Sequence, residues 1–336
     1  MSYIVESNSL ERHRMKKILS RKNLWIALFV FLLITFIAGY LYEATLSRNA
    51  ILADEGNPIT INEVKYNYTV ESEGEYTIVV DSSAGSSMLN REALLRSFDG
   101  NARLFFYDRP GYGMTEGESK TPKLLAEDLH FMFRKFGWKG KFILIGEEYG
   151  SLVMQEFMNR YPEEIAGAIM INPLGTSLGT EAVEKYADRK ITPFFSRRVL
   201  GTFGIPRLLN NTELVDFFDE VRLESAEEKS FYTNLWLSKE HIDTVEEELL
   251  MMTTLDPIEV QPGLLGESPL YLITSNKNLM NFSQEVYLDY SSNAQTFIVS
   301  DSVADTILER PQDIASAING MIQKIDRLEI LRKQRN

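Results

Sequence analysis

The chain has 336 residues, 44% apolar and 25% charged, enough for one large core or two modest ones. It has no cysteine, which excludes disulfides, thiolate metal sites and a cysteine nucleophile. A net charge of −13 argues against nucleic acid and anionic lipid headgroups as partners of its surface.

Residues 1–23 form a basic tail, with Arg12, Arg14, Lys16, Lys17, Arg21 and Lys22 against only Glu6 and Glu11. Leu24 to Tyr42 carries no charge, and its 19 residues include 12 that are Leu, Ile, Phe or Val. As a helix this stretch reaches about 28 Å, close to the ~30 Å hydrocarbon core of a bilayer. Trp25, Tyr40 and Tyr42 stand at its ends, where aromatic belts form. Residues 24–42 therefore read as a single membrane-spanning signal anchor. The positive-inside rule puts the N-terminus in the cytoplasm and the rest of the chain outside. A cleaved signal peptide is the alternative, but its apolar region would be shorter, and the best cleavage site, near Ala50, is weak. Beyond residue 42 there are 29 basic and 46 acidic residues, a surface suited to solubility at a cell exterior.

Residues 43–57 are polar and rich in small side chains and read as a linker. Ile59 to Val70 alternates like a paired strand, with a turn at Glu71 to Gly74, and Tyr76 to Val80 is the next strand. A helix over Ser87–Phe98, a turn at Asp99-Gly100 and a strand over Ala102–Tyr107 follow. Helices over Thr121–Phe136 and Ser151–Tyr161 alternate with strands over Lys141–Ile145 and Ala166–Ile171. That alternation predicts a mostly parallel sheet covered by helices on both faces. From 174 to 266 the chain reads as helical and acidic. Strands over Pro269–Thr274 and Gln295–Val299 and a helix over Pro311–Leu331 complete it.

The most informative segment runs from Phe142 to Ser151, FILIGEEYGS: a buried strand, a glycine-pinched turn and a helix. It is laid out like the nucleophile elbow G-x-S-x-G, with Glu148 where the serine would stand. Two further blocks occur at matching order and spacing: Tyr107-Asp-Arg-Pro-Gly-Tyr-Gly113, and Leu308-Glu-Arg-Pro311 before the last helix. Together with Tyr161-Pro-Glu-Glu-Ile165 they resemble the α/β-hydrolase superfamily, in its subgroup of small esterases and proline-specific peptidases. The resemblance implies an α/β-hydrolase core over 58–173 and 267–336, with 174–266 as a helical lid inserted after the sixth strand.

The family's chemistry needs a serine on the elbow, a histidine after the eighth strand, an aspartate after the seventh, and N–H donors near a His-Gly after the third. On this chain those positions fall at Glu148, Ala304, Asn278 and Asp81-Ser82, and every one departs from the pattern. No histidine occurs after His241. His13 precedes the apolar stretch, His130 is expected on a solvated helix face, and His241 at the surface or start of a lid helix. Ser86, Ser87 and Ser151 lack a neighbouring base and read as turn and capping residues.

Some relatives use an aspartate at the elbow, but hydrolysis of the resulting ester still requires a histidine. Losing a serine-protease triad costs roughly 10⁶ in rate. A non-catalytic protein that binds a ligand or partner is therefore expected, as in extracellular relatives that lost the nucleophile and became adhesion proteins. The alternative is a hydrolase of ester- or peptide-type substrates with Glu148 as nucleophile or base. A third reading, a structural subunit packing through residues 24–42, has little support, because the stretch lacks GxxxG.

Asp81, Ser82, Glu147, Glu148, Tyr149 and Asp301 are the candidate ligand contacts, with Asp305 close by. The carboxylates among them suit a cation such as Ca²⁺ or a cationic ligand. A hydrogen-bonded acidic cleft, or one neutralised by Lys277, would serve without any metal. No cofactor is expected.

Overall fold

The computed structural model describes residues 21–53, 57–86, 88, 91–211, 233–234, 236–275, 283–300, 302 and 305–335. The sequence positions His13, Ser87, Lys277, Asn278, Asp301 and Ala304 lie outside the described residues.

The first helix, α1, runs over Arg21–Ala53. Its segment Lys22–Thr45 is long and apolar enough to cross a membrane, and no residue of its most apolar 18-residue window is buried. The helix does not stop at Tyr42. Most of the expected linker is helical, because nothing before Asp54 breaks it: the stretch Glu43–Ala53 contains neither proline nor glycine.

Among the described residues eight strands follow: β1 (Asn57–Ile61), β2 (Val64–Glu71), β3 (Tyr76–Asp81), β4 (Ala102–Tyr107), β5 (Phe142–Glu147), β6 (Ile165–Ile171), β7 (Leu270–Ser275) and β8 (Ala294–Val299). They form one sheet in the order β1-β2-β4-β3-β5-β6-β7-β8. The two pairings that involve β2 are antiparallel and the rest are parallel. The stretch expected as one strand over Ile59–Val70 is instead a hairpin. Asn62 and Glu63 both take positive φ, 46° and 69°, which fits the tight two-residue turn between paired Ile61 and Val64.

Helices α2 (Arg91–Ser97), α3 (Pro122–Lys135) and α4 (Tyr149–Arg160) make the parallel crossovers. Thr121 caps α3 by accepting the Leu124 N–H, with proline next in the chain. Alternation along β5 splits the core in two. Phe142 and Leu144 join Leu129, Phe133, Val153 and Phe157 of α3 and α4 on one face. Ile143 and Ile145 join Leu94, Ile314, Ile318 and Met321 on the other. At about 1.5–3 kcal/mol per buried large aliphatic or aromatic side chain, these two layers hold the strand ends in place.

Between β6 and β7 the chain leaves the sheet and forms α5 (Glu181–Gly201), α6 (Ile205–Asn211) and α7 (Lys239–Thr254), of which α5 and α7 reach the residues just after β5 and β4. Past β8, a short helix α8 (Thr306–Glu309) leads into α9 (Pro311–Arg335).

Candidate functional site

β5 delivers the chain to a sharp bend at Glu148, whose φ of 45° and ψ of −106° lie outside the usual regions for a side-chain-bearing residue. Strain of this kind costs about 1–3 kcal/mol and persists where the surroundings enforce it. Two glycines let the strand and helix close on one another. A Cβ on Gly146 would lie 2.7 Å from the Ser151 Cα, and one on Gly150 would lie 2.2 Å from the Asp81 carbonyl oxygen. The Glu148 N–H donates to the Ile171 carbonyl (2.9 Å) and the Gly150 N–H to that of Ser82 (3.1 Å). Ser151 is fully buried. Its hydroxyl donates to the Glu148 carbonyl at 2.5 Å and accepts the Leu174 N–H at 3.3 Å, a turn-holding role.

The acids expected to share one open mouth are each matched to a different partner. Glu148 is buried, and its carboxylate accepts from the Tyr186 hydroxyl and from Lys190 Nζ at 3.3 Å, both on lid helix α5. Burial works against the Lys190 charge, yet Glu148, with Glu147 and Asp305 behind it, holds that ammonium above its ordinary pKa. The neutralising lysine thus comes from α5.

Glu147 points elsewhere. It is fully buried and accepts the N–H groups of Thr306 (2.6 Å) and Ile307 (3.3 Å) at the start of α8. Burial pushes its carboxyl well above the usual range, and the neighbouring Asp305 and Glu148 add to this. Asp305 is raised too, first by burial, while hydrogen bonds from Ser86, Leu308 and Glu147 oppose the shift. Burial thus disfavours ionisation of both carboxyls, and the Asp305 charge makes that of Glu147 harder still.

Asp81 belongs to a third arrangement, centred on Arg109. That guanidinium holds Glu248 of α7 through Nε (2.7 Å) and Nη2 (3.0 Å), and Nη1 reaches Asp81 and the Ser82 carbonyl (2.9 Å). Nη2 also donates to the Ser83 carbonyl at 3.3 Å. Tyr107 donates to Asp81 at 2.5 Å and Tyr112 to Glu248 at 2.7 Å. The rings of Tyr112 and Tyr149 flank the guanidinium at 5.2 and 4.9 Å. Burial opposes the Arg109 charge, but Glu248 and Asp81 outweigh it and keep its pKa raised. The carbonyls of Ser82 and Ser83 face Arg109, so this segment is turned toward a cation.

The histidines differ from expectation. His130 is half-buried: it stacks on Tyr161 at 3.8 Å and lies 3.2 Å from Glu164, because an aromatic neighbour covers the face expected to be solvated. His241 does lie in the first turn of α7, but it is buried and packs edge-on against Tyr112 at 5.1 Å. Among the described residues, no group of three or more His, Asp or Glu side chains is placed to hold a metal ion.

Arg109, Tyr186, Lys190 and Glu248 complete the site and had not been singled out. Arg109 stands inside the Tyr107–Gly113 block, which could have marked it. The other three are lid residues with no local signal.

Neither a family model nor a curated protein matches the sequence. Solved structures do. An α/β hydrolase, MGS-M2, from a Medee basin deep-sea metagenome library is 16% identical, with a TM-score of 0.61 over 80% of this chain and 97% of its own. The epoxide hydrolase CorEH is 12% identical, with a TM-score of 0.62 over 80% and 99%. A membrane phospholipase A described as a bacterial virulence factor is 15% identical, with a TM-score of 0.60 over 91% and 99%. The chain has the α/β-hydrolase fold, preceded by an apolar N-terminal helix that is a candidate membrane span.

Proposed function

We propose that this is a membrane-anchored, extracytoplasmic protein that uses the hydrolase fold to bind a ligand or partner without turning it over. One observation carries the reading: the side chain at the elbow is a carboxylate whose Oε2 is held by both Lys190 and Tyr186 of the lid. A carboxylate attacks without a base, but the ester it forms needs one to be hydrolysed. Glu148 has a cation and a hydroxyl donor instead, and both lower its nucleophilicity. The likeness to a protein described as a membrane phospholipase A supports a setting at a bilayer.

The full-length protein in detergent should take no label from fluorophosphonates and should not hydrolyse p-nitrophenyl esters above the background set by Glu148→Gln. Labelling, or turnover at ordinary enzyme rates, would sink the proposal. The strained bend at Glu148 is the feature that favours the alternative, a hydrolase with Glu148 as nucleophile or base. That alternative requires weak turnover that disappears in Glu148→Gln.

A further inference from the structure

We infer that the lid is itself a membrane-contacting surface, seated among lipid acyl chains beside α1. One face of α1 is built to receive the lid. The Phe36 ring meets Phe203 at a centroid distance of 4.5 Å. One turn later, a Cβ on Gly39 would lie 2.1 Å from the Phe203 carbonyl oxygen, so only glycine admits this crossing. Another turn on, Glu43 takes two hydrogen bonds from Arg207, at 2.8 and 2.5 Å, in a pair shielded from water. Spacings of three and four put Phe36, Gly39 and Glu43 on a single helix face.

This placement fixes a depth. Phe36 lies six residues before Tyr42, the last residue of the uncharged stretch, or about 9 Å along the helix axis. If the stretch spans a bilayer, the lid turn that touches Phe36 and Gly39 enters the hydrocarbon on the folded domain's side. The turn is equipped for it. Val199, Leu200 and Leu208 flank it with 47%, 41% and 63% of their surface exposed. Its backbone donors are satisfied internally: Phe203 N–H to Leu200 (3.2 Å), Gly204 N–H to Gly201 (2.8 Å) and Leu208 N–H to Gly204 (3.0 Å). The partner of this surface is therefore lipid, because the patch is continuous with the helix that enters the bilayer.

The absence of cysteine makes the test clean. Full-length Leu200→Cys and Leu208→Cys, each carrying an environment-sensitive fluorophore, would be placed in phosphatidylcholine nanodiscs with and without acyl-chain nitroxides. Ile330→Cys is the control. It is equally exposed, on α9, whose Glu329 meets Lys141 just before β5, at the end of the sheet away from the lid. The expected result is several-fold stronger nitroxide quenching at 200 and 208 than at 330. Quenching no greater than at 330 overturns the inference, whether the labels are water-exposed or covered by a second copy of the chain. The readout is lid depth, so it is independent of whether the cleft turns anything over.

Discussion

Glu147 and Glu148 are adjacent in sequence, and the bend between strand and helix sends them to opposite fates. Glu148 meets a lysine and a tyrosine. Glu147 is buried against the start of α8 beside Asp305, which raises its pKa. A carboxyl whose folded pKa exceeds its unfolded value, about 4.3 for glutamate, adds stability that is fully present below the unfolded value. That stability is lost as pH rises through the folded value. The melting temperature of the full-length protein in detergent should therefore fall as pH is raised from about 5 into the alkaline range by this linkage. Glu147→Gln should flatten the slope, since an amide does not ionise. An unchanged slope in a pH series of thermal melts would refute the raised Glu147 pKa.

Two lid elements are fastened to the sheet by separate buried clasps: α5 through Lys190 and Tyr186 on Glu148, and α7 through Glu248 on Arg109. Removing one partner of a buried ion pair leaves an uncompensated charge, at about 3–5 kcal/mol. Arg109→Met should cost stability on that scale in urea titrations, because both Asp81 and Glu248 lose their cation. Glu248→Gln should cost less, and it should speed proteolysis of the lid before that of the sheet. Equal loss in both variants would mean that the clasp does not act through charge. The clasps also mark the limit of what sequence reveals. β5, the elbow and α4 were legible because an apolar run and two glycines are local signals. The partners of the elbow acid lie 38 and 42 residues along the chain, and the Glu248 clasp spans 139, with no periodicity to betray them. The hairpin at Asn62-Glu63 was missed for a simpler reason: it adopts a turn that usually advertises itself with glycine.

On the scale of the whole molecule, the apolar N-terminal helix is part of the folded unit. Glu43 sits at the head of what the sequence presents as a linker, yet it is buried, and Arg207, which it holds, is 2% exposed. The polar composition after Tyr42 concealed this, since a linker and a helix that caps a neighbour draw on the same residues. In the full-length protein Glu43→Gln should lower thermal stability, and Arg207→Met beside it should restore part of the loss, as measured by thermal unfolding. Equal stability would show that Glu43 contributes nothing to the lid. Severing the leader anywhere past Glu43, as processing near Ala50 would, takes the carboxylate away from Arg207 and leaves Asn234 as a remaining acceptor. The segment that tethers this protein is thus also a wall of it.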